Sequence, residues 1–70
     1  INELIIKEDI ILIKIQNETK IYIKKNEEIN NTIKLLSFLN TIKNNKEITD
    51  YKYVDLTIPK QIIVKENNTL

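Results

Sequence analysis

The stretch YKYVDLTIPKQIIVK, residues 51–65, decides how the rest of the chain is read. Its first half alternates, with Val54, Leu56 and Ile58 on one pleat face and Tyr51, Tyr53, Asp55 and Thr57 on the other. It turns at Pro59, the single proline, and alternates again, which is the pattern of a β-hairpin. Loop parity sets the expected register. A three-residue loop of Pro59, Lys60 and Gln61 opposes Ile58 to Ile62, Leu56 to Val64 and Asp55 to Lys65; a two-residue loop opposes Asp55 to Val64 instead. Aspartate is a poor strand former, so the register that places a lysine beside it is expected. Only a short polar tail follows, read as frayed over residues 67–70. The last strand is therefore expected at a sheet edge, its N–H and C=O groups open to another chain. In this register Ile62 and Val64 turn inward and Ile63 outward.

Moving back from the hairpin, the apolar period changes from two to nearly four between Glu27 and Asn45. Ile29, Ile33, Leu36, Leu39 and Ile42 form one stripe, widened by Leu35 and Phe38, and predict an amphipathic helix packed on the sheet. Burial of six or seven such side chains, at roughly 1.5 to 3 kcal/mol each, would be the largest single contribution to folding. Asn26 is placed to cap this helix, Glu27 and Glu28 suit its N-terminal dipole, Lys43 and Lys46 lie near its C-terminal end, and Asn44 with Asn45 can stop it.

Upstream, residues 19–24 and 10–16 alternate as strands, and Leu4 to Ile6 is a short apolar run closed by Lys7, Glu8 and Asp9. An odd loop between the first two opposes Ile15 to Ile21 and Ile13 to Ile23, whereas a two-residue turn opposes Ile15 to Lys20. Glycine is absent, so positive φ in the turns is expected of Asn17 and Asn26. The strands joined by the helix would be parallel if adjacent. The fold expected is α+β: a small mixed or mostly antiparallel sheet of four to five strands, with one amphipathic helix on one face.

Composition narrows the function classes. Seventy residues make one small domain at most, with neither cysteine nor histidine to staple it, so the core must be aliphatic. Net charge is +1 with 30% charged residues, and the lysines are interleaved with acids as in Lys24, Lys25, Glu27 and Glu28. That balance disfavours nucleic-acid binding, although Tyr22, Tyr51 and Tyr53 on a sheet have the look of a stacking platform. The wealth of isoleucine, asparagine and lysine, without arginine, reads as AT-rich codon usage. No apolar run approaches the ~18 residues of a membrane span, so the chain as given is expected to be soluble. The sequence begins without methionine and is expected to be a fragment of a longer protein.

No catalytic, cofactor or metal site is expected. Asp55 lacks a second acid-base group in sequence reach, and Ser37, the one serine, has no histidine to activate it. Glu27 and Glu28 are adjacent on a helix start and diverge, which suits the dipole better than a cation.

Tyr53, Val54, Asp55 and Leu56, then a turn and a final strand from Gln61 to Glu66, follow an amphipathic helix and a hairpin of the type KIQNETKIYI. This order, over roughly residues 10–66, resembles the C-terminal β-domain of the bacterial division proteins FtsQ and DivIB. The resemblance implies a single-pass membrane protein with a POTRA domain ahead of the β-domain, acting as a non-enzymatic scaffold on the extracytoplasmic face of the membrane. It further implies that the terminal edge binds FtsB or DivIC, which act with FtsL, by strand addition. Carried onto this chain, that edge is Gln61, Ile62, Ile63, Val64 and Lys65, with Thr57 and Ile58 beside it. Thr57 stands where some relatives carry arginine, and Asn26 where some carry glycine. Without the resemblance, the alternative is a β-rich structural fragment that self-associates through its exposed edge.

Overall fold

The computed structural model describes residues 2–67. Its strands are β1 (Glu3–Lys7), β2 (Ile10–Lys14), β3 (Lys20–Lys24), β4 (Tyr51–Asp55) and β5 (Ile63–Glu66), with one helix, α1 (Glu28–Ile42), between β3 and β4. They form one five-stranded sheet in chain order, antiparallel except where β3 and β4 run parallel, so the fold is α+β. The parallel step follows from the helix. A crossover returns the chain to the end of the sheet from which β3 started, whereas the short turns reverse it.

Both expected registers slide by one pleat repeat, and in the closing hairpin Tyr51 and Ile58 also leave their expected faces. Ile13 lies opposite Ile21 and Ile11 opposite Ile23, so the loop is five residues and Ile15 does not pair with Ile21. The cause is local: Ile15 N–H donates to the Thr19 carbonyl at 2.9 Å across a 3-10 turn at Gln16–Glu18. Asn17 takes positive φ there as expected, and Asn26 does so before the helix, but Glu8, Glu18 and Lys60 share that strain.

In the closing hairpin Val54 lies opposite Val64 and Asp55 opposite Ile63, so the expected Asp55 and Lys65 pair is not formed. Asp55 instead ends its strand. Its Oδ1 accepts from Thr57 N–H at 2.9 Å and from Thr57 Oγ1 at 2.6 Å, an Asx turn that carries the chain out of the ladder. The loop therefore runs from Leu56 to Ile62 and contains a tighter turn, closed by Gln61 N–H to the Ile58 carbonyl at 3.2 Å. Pro59 followed by positive φ at Lys60 has the signs of a type II turn.

A register shift between Tyr51 and Tyr53 makes Lys52 the extra residue of a bulge. Tyr51 is thereby turned off the face of Tyr53 and buried against the helix, edge-on to Phe38 at 5.2 Å. Tyr22 and Tyr53 remain together on the opposite face, edge-on at 6.4 Å.

The core lies between α1 and the β3–β4 half of the sheet: Ile21, Ile23, Ile42, Tyr51, Val54 and Leu56 are buried, with Leu35, Phe38 and Leu39 packed on them. The helix is rotated from the expected stripe. Ile29, Ile33 and Leu36 are 78%, 60% and 61% exposed, while Asn31, a polar residue outside that stripe, is buried. Seven apolar residues spread over more than half the helix circumference cannot all face one sheet. The compact group Leu35, Phe38, Leu39 and Ile42 decides which do.

Asn31 has a specific task. Leu56 N–H donates to the Tyr22 carbonyl at 3.0 Å, and the next rung of that parallel ladder would join Lys24 N–H to the Leu56 carbonyl. That rung is split. Asn31 Oδ1 accepts Lys24 N–H at 2.8 Å, and Lys34 Nζ donates to the Leu56 carbonyl at 2.9 Å and the Ile58 carbonyl at 2.5 Å. Residues three apart on one helix face thus end the ladder and release the chain into the loop before β5. Asn26 does not cap the helix; Glu27 is the N-cap and makes no side-chain cap bond. Of the tail expected to fray, Asn67 is tied down, donating N–H to the Asp50 carbonyl at 3.0 Å, and residues 68–70 lie outside the described residues. Among the described residues no helix is long and apolar enough to cross a membrane.

Candidate functional site

Strand β5 ends the sheet and pairs only with β4 among the described residues. Which of its backbone groups are free follows from β4. Leu56 bonds β3, and in a strand alternate residues bond opposite neighbours, so Val54 also faces β3 while Tyr53 and Asp55 face β5. Their partners Lys65 and Ile63 accordingly spend their N–H and C=O groups on β4. The amide of Val64 points outward from the middle of the strand, as does that of Glu66 at its end, between Lys65 and Asn67.

Around that amide the side chains divide as the alternation requires. Ile63 lies on the outer face, 42% exposed, next to Lys65, which is exposed; Ile62 and Val64 turn to the helix side and are half-buried against the core. Thr57 and Ile58 do not adjoin this edge. Thr57 is held in the Asp55 turn, and Ile58, expected inward, is 38% exposed because the longer loop lifts it off the sheet. Gln61 is exposed at the loop exit, one residue short of Ile62. The site brought together is therefore Ile62, Ile63, Val64 and Lys65.

The far end of β5 is pinned by charge. Lys46, just beyond α1, forms an ion pair with Glu66 and lies 5.9 Å from the Tyr51 ring centroid. The hydrogen bond to Glu66 holds the Lys46 ammonium above the usual lysine range. The other ion pairs among the described residues centre on Lys14 of β2, with Glu3 of β1 at 3.5 Å and with Glu18 of the following turn at 3.8 Å.

Three features escaped sequence reasoning. One is the opposite edge, β1, which among the described residues pairs only with β2 and whose Leu4 and Ile6 are 55% and 58% exposed because the helix covers only the other half of the sheet. The second is the exposed stripe Ile29, Ile33 and Leu36, spaced at helical intervals but turned away from the core. The third is an open concavity of about 630 Å³ on the sheet's outer face, lined by Ile5, Ile10, Leu12 and Tyr22 with Lys7, Glu8 and Asp9 at its rim. Among the described residues no three metal-ligating side chains come together. What the arrangement offers chemically is an unpaired main-chain donor and acceptor flanked by one apolar and one cationic side chain. Comparison with known proteins returned no matching family model, no matching curated protein and no matching solved structure.

Proposed function

We propose that the chain is a non-enzymatic interaction module whose β5 edge takes an extended segment of a partner protein as an added strand. The observation that carries this is the outward Val64 amide on a terminal strand, beside the exposed Ile63. Main-chain hydrogen bonds from Val64 supply the register, Ile63 an apolar contact on the outer face, and Lys65 a cation that favours an acidic neighbour on the incoming strand. The Lys46 to Glu66 ion pair and the bond from Asn67 N–H to the Asp50 carbonyl hold the far end of β5 in place beside β4. The resemblance of residues 10–66 to the FtsQ and DivIB β-domain names the partner class: a division protein of the FtsB or DivIC type, acting with FtsL on the extracytoplasmic side of the membrane.

The test uses a chain assembled by chemical ligation with a single N-methyl group at Val64. This removes the outward donor without touching the bond that Ile63 makes to β4. Binding of a fluorescent FtsB-type segment is expected to be lost, while the circular-dichroism spectrum and melting temperature are kept. Undiminished binding by the N-methylated chain overturns the strand-addition reading. Ile63→Lys is expected to weaken binding without unfolding.

A further inference from the structure

We propose that two copies of this chain associate through β1, strand against strand, in one antiparallel register centred on Ile5. The proposal rests on β1 alone and is independent of the reading of β5, which lies at the other end of the sheet.

Which backbone groups of β1 are free can be worked out from its neighbour. Lys25 N–H donates to the Asp9 carbonyl at 2.7 Å and Ile15 N–H to the Thr19 carbonyl at 2.9 Å. The odd-numbered residues of this stretch therefore bond β3 and the even-numbered ones β1. Since Ile10, Leu12 and Lys14 lie opposite Lys7, Ile5 and Glu3, the residues left pointing outward from β1 are Leu4 and Ile6. An antiparallel copy set so that Leu4 faces the second copy's Ile6, and Ile6 the second copy's Leu4, satisfies both with paired N–H to C=O bonds.

The side chains fit this register. Glu3 falls opposite the second copy's Lys7 and Lys7 opposite the second copy's Glu3, both on the outer face, with Ile5 against the second copy's Ile5 between them. Lys14 already lies 3.5 Å from Glu3, so each carboxylate would sit between two ammonium groups. On the helix side Leu4 and Ile6, more than half exposed in the single chain, join their counterparts in one apolar row. Sliding the pairing by a pleat repeat in either direction sets Glu3 or Lys7 against Ile5. The charges thus act as an edge guard against foreign strands and as a key for the chain's own copy. The product is a two-fold symmetric sheet of five plus five strands with both β5 edges still free.

The test is a charge-swap experiment by sedimentation over a concentration series reaching millimolar, each chain first checked for folding by circular dichroism. The parent chain is expected to show a reversible monomer–dimer equilibrium. Glu3→Lys and Lys7→Glu, taken singly, set like charges opposite each other twice per dimer, and each is expected to weaken dimerisation about ten-fold or more. Mixed in equal amounts they are expected to pair with each other and recover the parent affinity, because each supplies the charges the other lacks. Should either single variant fail to fold, the double swap E3K/K7E in one chain is self-complementary and is expected to dimerise like the parent. A parent that stays monomeric throughout, single variants that dimerise as well as the parent, or a mixture and double swap that do not recover, each overturns the proposal.

Discussion

Replacing Asn31 by leucine tests the split rung on which the β3–β4 junction depends. Leucine keeps the branched outline of asparagine but offers no acceptor, so Lys24 N–H, now served at 2.8 Å, is left without a partner beside the helix. An unsatisfied buried donor costs about 1–3 kcal/mol. For a domain of this size each kcal/mol moves the melting temperature by about 4–8 °C, so a fall of about 4–24 °C is expected. Lys34→Met removes the ammonium from the Leu56 and Ile58 carbonyls, which lie nearer solvent and can take water, and should cost less, about 1 kcal/mol. The double variant is the sharper experiment. With both side chains gone, Lys24 N–H and the Leu56 carbonyl are free to close the rung they would otherwise have made. The combined loss should therefore fall short of the sum of the single losses by at least about 0.5 kcal/mol. Urea denaturation of the four chains measures the cycle, and amide exchange at Lys24, slow in the parent and faster in Asn31→Leu, locates the effect. An Asn31→Leu chain as stable as the parent, or strictly additive losses, would refute the reasoning.

Three further outcomes follow from the packing. Ile33→Gln on the exposed helix face should change stability by less than about 0.5 kcal/mol, whereas Ile42→Ala on the buried face of the same helix should cost about 2–5 kcal/mol; denaturant midpoints distinguish the two faces. Asp55→Ala should cost about 1 kcal/mol by removing the acceptor for both Thr57 donors, and Lys65→Ala should be close to neutral, since Asp55 turns to Thr57 and not to Lys65. Lys46 is held above its ordinary range by Glu66, so its contribution is complete below the unfolded lysine pKa and is lost as pH rises through the folded one. Melting temperature should therefore drop more steeply above pH ~10.4 in the parent than in Lys46→Met, which has no such contribution to lose.

The division between legible and illegible features follows the range of the forces involved. Alternation in residues 10–16, 19–24 and 51–58 is a local consequence of the pleat, so the strands and the inward Val54, Leu56, Ile62 and Val64 could be read directly. Loop parity likewise fixes which face a residue takes, but not how far two strands slide, because a shift of two residues preserves every face. That choice was made by bonds invisible to periodicity, Ile15 to Thr19 in one hairpin and Asp55 to Thr57 in the other. Tyr51 was misplaced because a bulge at Lys52 leaves no glycine or proline to mark it. The helix was legible as a helix, but its rotation depends on where β4 and the residue after it present Tyr51 and Leu56, which is tertiary information. The last strand was legible as an edge; that Val64 and not Ile63 offers its amide required the parallel pairing of β3 with β4.

That parallel seam also sets the order in which the chain can assemble. The first three strands close through short turns between neighbours in sequence, events of microseconds. The seam has only three residue pairs, against five in each N-terminal hairpin, and its bracing bond from Thr19 to the Tyr51 carbonyl spans 32 positions. Closing so long a segment must precede any reward from the contact, so the seam is expected to be the slow step of folding, with docking of α1 tied to it. Until then β3 is itself an open edge, with Ile21 and Ile23 uncovered. A chain that folded in this order would expose a three-stranded sheet with two sticky borders until the helix brought Tyr51 home to Thr19.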